Sequence, residues 1–341
     1  MKDYEVAVIG ATGLVGQEMI KVLEERRFPV GKLRAFATAR SAGSTVLFRG
    51  EAVAVENIEG ASFKGIEFAL FSGGEIASTV YAPAAVKDGA VVIDNSASFR
   101  MDPEVPLVVP EVNAGAMAHH RGIIANPNCS TIQMVVALKP IYDAAGITRI
   151  VVTTYQAVAG TGKAAVEELE EQVKAVIEKR PVQPQVYPHQ IAFNVIPQIG
   201  DFEADGYSKE EWKMILETKK IFGDDTIRVT ATTVRVPVKQ GHCEAVNIET
   251  KRKITADEAR RLLEKAPGVK VIDSPGQHLY PMPLDCAGGD DVLVGRVRND
   301  PSIEKGIDMW IAADNLRKGA ALNAVQIAEA LIERDLLRAC P

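Results

Sequence analysis

Residues 4–16 read YEVAVIGATGLVG, a short apolar run that closes on glycine, and apolar residues then recur at Val15, Met19, Ile20, Val22 and Leu23. The first part has the length of a buried strand and the second the period of a helix, so the stretch predicts strand, glycine turn, helix. Gly10, Gly13 and Gly16 stand at intervals of three in that turn. Glycine there permits a tight turn and lets the N–H groups of the helix N-terminus approach a pyrophosphate, which the helix dipole favours. Gly10, Thr12, Gly13, Leu14, Val15 and Gly16 are therefore candidate cofactor residues. The spacing G-x-x-G-x-x-G differs from the dinucleotide fingerprint G-x-G-x-x-G, and a glycine-rich turn without a ligand is the alternative.

Working outward, further apolar runs at 32–38, 67–73 and 90–95 alternate with helical stretches such as 75–88. Such alternation predicts a parallel, doubly wound α/β sheet of the Rossmann type. After about residue 128 the texture changes to longer β-branched runs at 148–158, 226–238 and 242–250, separated by helices at roughly 130–144, 163–179, 208–222 and 255–265. That pattern predicts an α+β second domain with a mixed or antiparallel sheet. An amphipathic helix over 318–338 is placed to return to the first domain, and the Pro-rich 181–197 stretch reads as a long surface connection.

The composition agrees with two domains. A length of 341 residues is about two domains' worth, and 47% apolar with 25% charged residues is ordinary globular usage. A formal net charge of −6 has the wrong sign for holding nucleic acid by phosphate neutralisation. No apolar run approaches the length of a membrane span, and the N-terminus lacks the features of a signal peptide, so a cytoplasmic protein with no membrane partner is expected. Cys129, Cys243, Cys286 and Cys340 are far apart, and with five histidines they show no metal-ligand spacing, so no metal is expected.

In NAD-binding domains of this class an acidic residue follows the glycine turn by about 20 positions and holds the ribose 2′-hydroxyl. Residues 35–43 read AFATARSAG and contain no carboxylate. Thr38, Arg40 and Ser41 instead supply positive charge and hydroxyl donors for a 2′-phosphate, which predicts NADP; the alternative is that Arg40 is a solvated loop arginine. Further on, ANPNCST (125–131) follows a short apolar strand and precedes a helical run, putting Cys129 at a helix N-terminus that favours a thiolate. A buried structural cysteine fits poorly among these polar cap residues. KQGHCE (239–244) offers His242 as a base and Cys243 as the rival nucleophile. On a strand His242 and Cys243 point to opposite faces and cannot share one site.

Eight ordered motifs then run through the chain: GATGLVG (10–16), SFRM (98–101), NPNCST (126–131), TYQAVAGTG (154–162), PHQIAFNVIPQIG (188–200), EEWKMILETKKI (210–221), RVPVKQGH (235–242) and DNLRKGAA (314–321). By these the sequence resembles the aspartate-β-semialdehyde dehydrogenase family over essentially its full length. The resemblance implies an NADP-binding domain over 1–127 plus 321–341 and a catalytic and dimerisation domain over 128–320, assembled as a homodimer or homotetramer. It implies Cys129 as nucleophile, His242 as acid/base and Gln156 as the residue orienting the reacting carbonyl or thioester. Arg235 resembles the family's carboxylate clamp, Arg100 and Lys213 its phosphate site, and Asn128 a further donor beside the nucleophile. Gly160 and Gly162 would let backbone approach the nicotinamide, Asn315 is a cofactor candidate, and position 159 is alanine where many relatives have serine.

The implied activity is NADPH-dependent reductive dephosphorylation of L-4-aspartyl phosphate to L-aspartate 4-semialdehyde, a step toward lysine, threonine, methionine and isoleucine. His242 stands seven positions after Arg235, an odd offset that on one unbroken strand would put them on opposite faces, so a break is expected at Gln240-Gly241. Ser208 and Glu211 read as a capping box, and Glu210 with Lys213 reads either as a surface ion pair or, by the resemblance, as ammonium partner and phosphate contact. Other acyl-phosphate or acyl-CoA reductases, such as N-acetyl-glutamyl-phosphate reductase or malonyl-CoA reductase, are the nearest alternative, and Glu210 is the discriminator because only a free ammonium wants a carboxylate. A catalytically dead NADP-binding protein predicts loss of nucleophile or base, whereas Cys129, Gln156, Arg235 and His242 are all present.

Overall fold

A computed structural model describes residues 2–337; Cys340 lies outside the described residues. The chain forms two compact units, one taking the chain up to Asn128 and again from Ala320, the other Cys129–Gly319. In chain order the first unit holds β1 (Tyr4–Ile9), α1 (Leu14–Glu25), β2 (Val30–Ala37), β3 (Thr45–Phe48), β4 (Glu51–Asn57), β5 (Phe68–Phe71), α2 (Glu75–Lys87), β6 (Val91–Asp94), the one-turn α3 (Pro110–Asn113) and β7 (Ile123–Ala125). The second holds α4 (Cys129–Ala145), β8 (Ile147–Gln156), α5 (Lys163–Ile177), α6 (Lys209–Phe222), β9 (Arg228–Arg235), β10 (His242–Thr250), α7 (Ala256–Leu263), β11 (Val269–Val271), the one-turn α8 (Pro283–Cys286), β12 (Val292–Asn299) and β13 (Gly306–Ala313). The first unit then resumes with α9 (Leu322–Glu333).

Among the described residues the first unit's sheet has the order β3-β4-β2-β1-β5-β6-β7. The strands from β4 to β7 are parallel, as the sequence predicts. β3 departs from the prediction, pairing antiparallel with β4. Arg49 and Gly50 join them with φ of 51° and 80°, both positive, which is the backbone of a two-residue hairpin turn. β1 is buried on both faces: Val6 and Val8 join a core with Met19 and Leu23 of α1 and Val325 and Leu331 of α9, while Ala7 and Ile9 join Phe36, Phe71, Ala82 and Ala85 on the other side. α9 differs from the expected amphipathic helix, because most of its residues, the polar Asn323 included, are buried. The Asn323 amide is satisfied by donating to the Val108 carbonyl and to Asn126.

In the second unit the order is β11-β12-β13-β10-β8-β9. The sheet is mixed, with parallel pairs at both edges and antiparallel pairing from β12 through β8. α4, α6 and α7 pack against it. The run expected to be strand over 226–238 stops at Arg235, just before Val236-Pro237, where proline has no N–H to give the ladder. Gly241 then turns the chain into β10 with φ +93°. A side chain at Gly241 would meet the Pro283 carbonyl at 2.8 Å and Cys286 Sγ at 2.9 Å, so only glycine fits. Among the described residues no helix is long and apolar enough to cross a membrane.

Candidate active site

Three neighbouring strands of the second unit present one row of polar side chains. Gln156, the last residue of β8, pairs with Arg235, the last of β9. On its other side β8 pairs Tyr155 with Cys243, so the next residues along, Gln156 and His242, also lie opposite each other. Directly opposed residues share a face of the sheet, and Arg235, Gln156 and His242 therefore form a row. The break expected at Gln240-Gly241 is present, since residues 236–241 lie outside any strand and the two flanking residues belong to strands separated by β8. The three side chains are 5%, 1% and 0% exposed, so each is held by the protein more than by water.

Their partners define their chemistry. The Ala157 N–H donates to His242 Nδ1 at 3.0 Å, which leaves the ring proton of the neutral imidazole on Nε2. His242 Nε2 has no hydrogen-bond partner among the described residues. Burial, and next the positive charge of Arg235, hold the His242 pKa well below its ordinary value, so the ring is neutral at physiological pH. Arg235 donates from one terminal nitrogen to the Ala157 carbonyl at 2.7 Å, while its Nε makes no hydrogen bond among the described residues. The Tyr187 ring lies 5.9 Å from the guanidinium carbon, a contact the sequence alone does not reveal.

The amide of Gln156 donates to Thr154 at 3.3 Å and to Glu210 at 3.4 Å. Glu210 also meets Lys213 Nζ at 3.3 Å. The i,i+3 ion pair thus exists, but its carboxylate is only 7% exposed and is joined to the row, so it is not the surface pair weighed above. Ser208 and Glu211 form the predicted capping box at the start of α6. Glu211 does more than cap, because its second oxygen accepts the Thr233 N–H at 2.9 Å and ties α6 to β9.

Cys129 is the first residue of α4, a helix that packs against β8, β10 and β13. Gly319 lies against it, where an added Cβ would come within 2.8 Å of Cys129 Cβ. Cys243 faces away from His242 and is 1% exposed in a cluster with Cys286, Leu293 and Ala312. Burial pushes the Cys243 thiol far above its ordinary range and Cys286 up to about 12, so neither is a thiolate at neutral pH. Gly160 touches the row: a Cβ there would come within 3.2 Å of His242 Nε2 and 3.3 Å of an Arg235 nitrogen. Gly162 follows with φ +112° and open space around it. Asn315 accepts the Gly241 N–H at 2.9 Å and so steadies the turn into His242, leaving its own amide nitrogen without a partner among the described residues.

In the first unit the glycine turn has the expected form, with distinct reasons at each position. Gly10 has φ +79° and lies against the backbone of 72–73, and a Cβ on Gly16 would come within 2.2 Å of the Gly10 carbonyl. Gly13 has no such crowding, the nearest atom lying 3.4 Å from an added Cβ. α1 begins after Gly13 with no side-chain cap and no acid in its first turn, while Leu14 and Val15 are half-buried and Thr12 leads into them. Thr38 and Arg40 are exposed just beyond β2, and Ser41 donates its N–H to the Thr38 carbonyl at 2.9 Å. Arg100 is 8% exposed and donates to the backbone carbonyls of Asn126 at 3.0 Å and Asn95 at 2.7 Å. Asn128 ends this unit's first segment and is buried.

Residues 5–120 match the family described as "Semialdehyde dehydrogenase, NAD binding domain" and residues 138–318 the one described as "Semialdehyde dehydrogenase, dimerisation domain". The aspartate-semialdehyde dehydrogenase of Aquifex aeolicus is 55% identical over 338 residues, covering 98% of this chain and 99% of that protein. That of Bacillus subtilis is 50% identical over 344 residues, covering 98% and 99%. The crystal structure of aspartate semialdehyde dehydrogenase II from Vibrio cholerae, complexed with ASA, is 51% identical with a TM-score of 0.96 and covers 98% of this chain and 99% of that one.

Proposed function

The chain belongs to the aspartate-semialdehyde dehydrogenase family, and from that premise we propose that it interconverts L-4-aspartyl phosphate and L-aspartate 4-semialdehyde with NADP(H), through a thioester on Cys129. The observation that carries this reading is the row Arg235, Gln156, His242, with the imidazole proton fixed on Nε2. Arg235 offers a planar guanidinium to the substrate carboxylate, and Glu210 offers a carboxylate to its ammonium. Arg100 and Lys213 receive the phosphoryl group, with Asn128 as a further donor.

In the reductive direction the Cys129 thiolate attacks the acyl carbon, the carbon–oxygen bond to phosphate breaks, and phosphate leaves with the bonding pair. The nicotinamide cofactor, when bound, supplies a hydride to the thioester carbon. His242 then donates its Nε2–H as a hydrogen bond to the oxygen that takes up the negative charge. Its lowered pKa and occupied Nδ1 suit it to that task better than to deprotonating the thiol. A well-aimed donor at such an oxyanion contributes about 3 kcal/mol. Collapse restores the carbonyl and expels the Cys129 thiolate.

A dinucleotide fits the first unit's glycine turn, because α1 opens with free N–H groups, no cap and no acid in its first turn. Arg40, Thr38 and Ser41 would hold the 2′-phosphate, and Gly160, Gly162 and Asn315 are the candidates nearer the nicotinamide. Arg40→Ala should weaken NADP on the order of tenfold or more while leaving NAD affinity nearly intact; equal losses would contradict the 2′-phosphate role. A homodimer or homotetramer would form through the second unit, in keeping with the matched dimerisation family.

The deciding experiment supplies L-aspartate semialdehyde, phosphate and NADP+ to the purified protein and follows NADPH. Phosphate-dependent NADPH formation is expected. No phosphate-dependent signal, together with turnover of an N-acyl or CoA-linked substrate, would overturn the reading.

A further inference from the structure

Directly beneath the row lies a second polar pair that the mechanism leaves unused. Glu244 follows His242 by two residues on β10 and so shares its face. Gln133 follows Cys129 by four residues on α4, one helical turn further along the same stripe. α4 packs on β10, and the Gln133 amide is the polar group beside the Glu244 carboxyl. Both side chains are sealed from solvent, at 0% and 1% exposed. None of their four polar atoms makes a hydrogen bond within standard geometry among the described residues. The groups facing Glu244 from the neighbouring strands are Thr154 on β8 and Ile311 on β13, neither of them charged; His242 is the titratable neighbour on its own strand, and from α4 the polar group acting on it is the uncharged Gln133 amide.

Packing alone gives no reason for this arrangement, since a buried polar group costs free energy unless it is paired, and a leucine would fill the same volume. A carboxylic acid and a primary amide are complementary, however. The acid O–H donates to the amide carbonyl while the amide N–H donates to the acid carbonyl. We propose that Glu244 and Gln133 are positioning residues, an acid–amide brace that sets the approach of the strand bearing His242 to the helix bearing Cys129. The brace acts through the reactive residues and touches neither substrate nor cofactor. Burial keeps the Glu244 carboxyl protonated, with its pKa well above the ordinary range, as reciprocal pairing to an amide requires. The proposal deepens the reading of Cys129 and His242 given above and rests on it.

The test compares Glu244→Gln, Glu244→Leu and Gln133→Leu in the full-length enzyme. Two readouts are used: kcat with its pH profile, and the pH dependence of Cys129 alkylation by iodoacetamide, which needs no substrate. A brace predicts that Gln133→Leu and Glu244→Leu lose on the order of tenfold to a hundredfold in kcat with little change in KM, and displace the alkylation midpoint. Glu244→Gln, neutral and of the same shape, should recover most of that loss. Unchanged kcat and alkylation in Gln133→Leu would overturn the proposal. So would a Glu244→Gln enzyme as impaired as Glu244→Leu, which would make an ionised carboxylate the working group. If Glu244→Leu does not fold, the other two variants decide. Absence of turnover in the unmodified enzyme would strike the proposed reaction and leave the alkylation profiles to judge the brace.

Discussion

At the scale of single residues, Gly160 and Glu244 carry the sharpest consequences. Gly160 lies so close to His242 and Arg235 that a methyl group would sit 3.2–3.3 Å from both, and either the ring or the guanidinium must shift by a few tenths of an ångström. Gly160→Ala should therefore lower kcat/KM on the order of tenfold while barely altering thermal stability; unchanged kcat/KM would show that the row tolerates the displacement. Glu244 makes a separate prediction about stability. A carboxyl whose pKa is raised on folding binds its proton more tightly in the native state, so its contribution is full below its ordinary value of 4.5 and is lost as pH rises above it. His242 has the opposite sign, since a pKa lowered on folding leaves the unfolded chain with more protons below 6.5, and stability is lost as pH falls. Glu244→Gln removes only the first of these. Its stability relative to the unmodified protein should rise with pH from 4.5 upward, by up to about 1.4 kcal/mol per pH unit, in denaturant titrations across that range. A pH-independent difference would mean that Glu244 is ionised in the native state.

At the scale of elements, the glycine turn separates folding from binding. Gly16→Ala drives a methyl group into the Gly10 carbonyl, at 2.2 Å, and should cost about 1–3 kcal/mol. Gly13→Ala meets nothing closer than 3.4 Å, so it should leave stability intact and weaken cofactor binding instead. Thermal unfolding and cofactor titration of both variants check the contrast, and equal destabilisation would refute it. The glycine turn was legible in the sequence because its signal is local, three glycines between an apolar run and a helical period. The β3–β4 hairpin lies outside the sequence prediction although Arg49-Gly50 between two short β-type runs carries its signal, because a two-residue turn with arginine first is a weak cue. β12 and β13 lie outside the sequence prediction as well: in VLVGRVRN a glycine and two arginines interrupt the apolar pattern, with a register shift after Gly295, and in GIDMWIAA an aspartate follows the opening Gly-Ile, so pairing across the sheet decides both.

At the scale of the whole molecule, the candidate site draws on distant parts of the chain, and that distance limits what sequence reading reaches. Cys129, Gln156, Arg235 and His242 could each be named from motifs, but the row made by the last three depends on β8 lying between β9 and β10, which no local pattern states. The same pairing hides the contacts of Gly160 and Tyr187 and the burial of Glu244, where an acidic residue in a strand reads as solvent-facing until both faces are covered. Covalent catalysis at Cys129 is the central proposal. Its most direct test is to mix enzyme with L-aspartate semialdehyde and NADP+ in the absence of phosphate, quench in acid and locate the acyl group by peptide mass spectrometry. An aspartyl thioester on the peptide bearing Cys129, discharged when phosphate is added before the quench, is the predicted result. An unmodified Cys129, or an adduct on Cys243 instead, would contradict it.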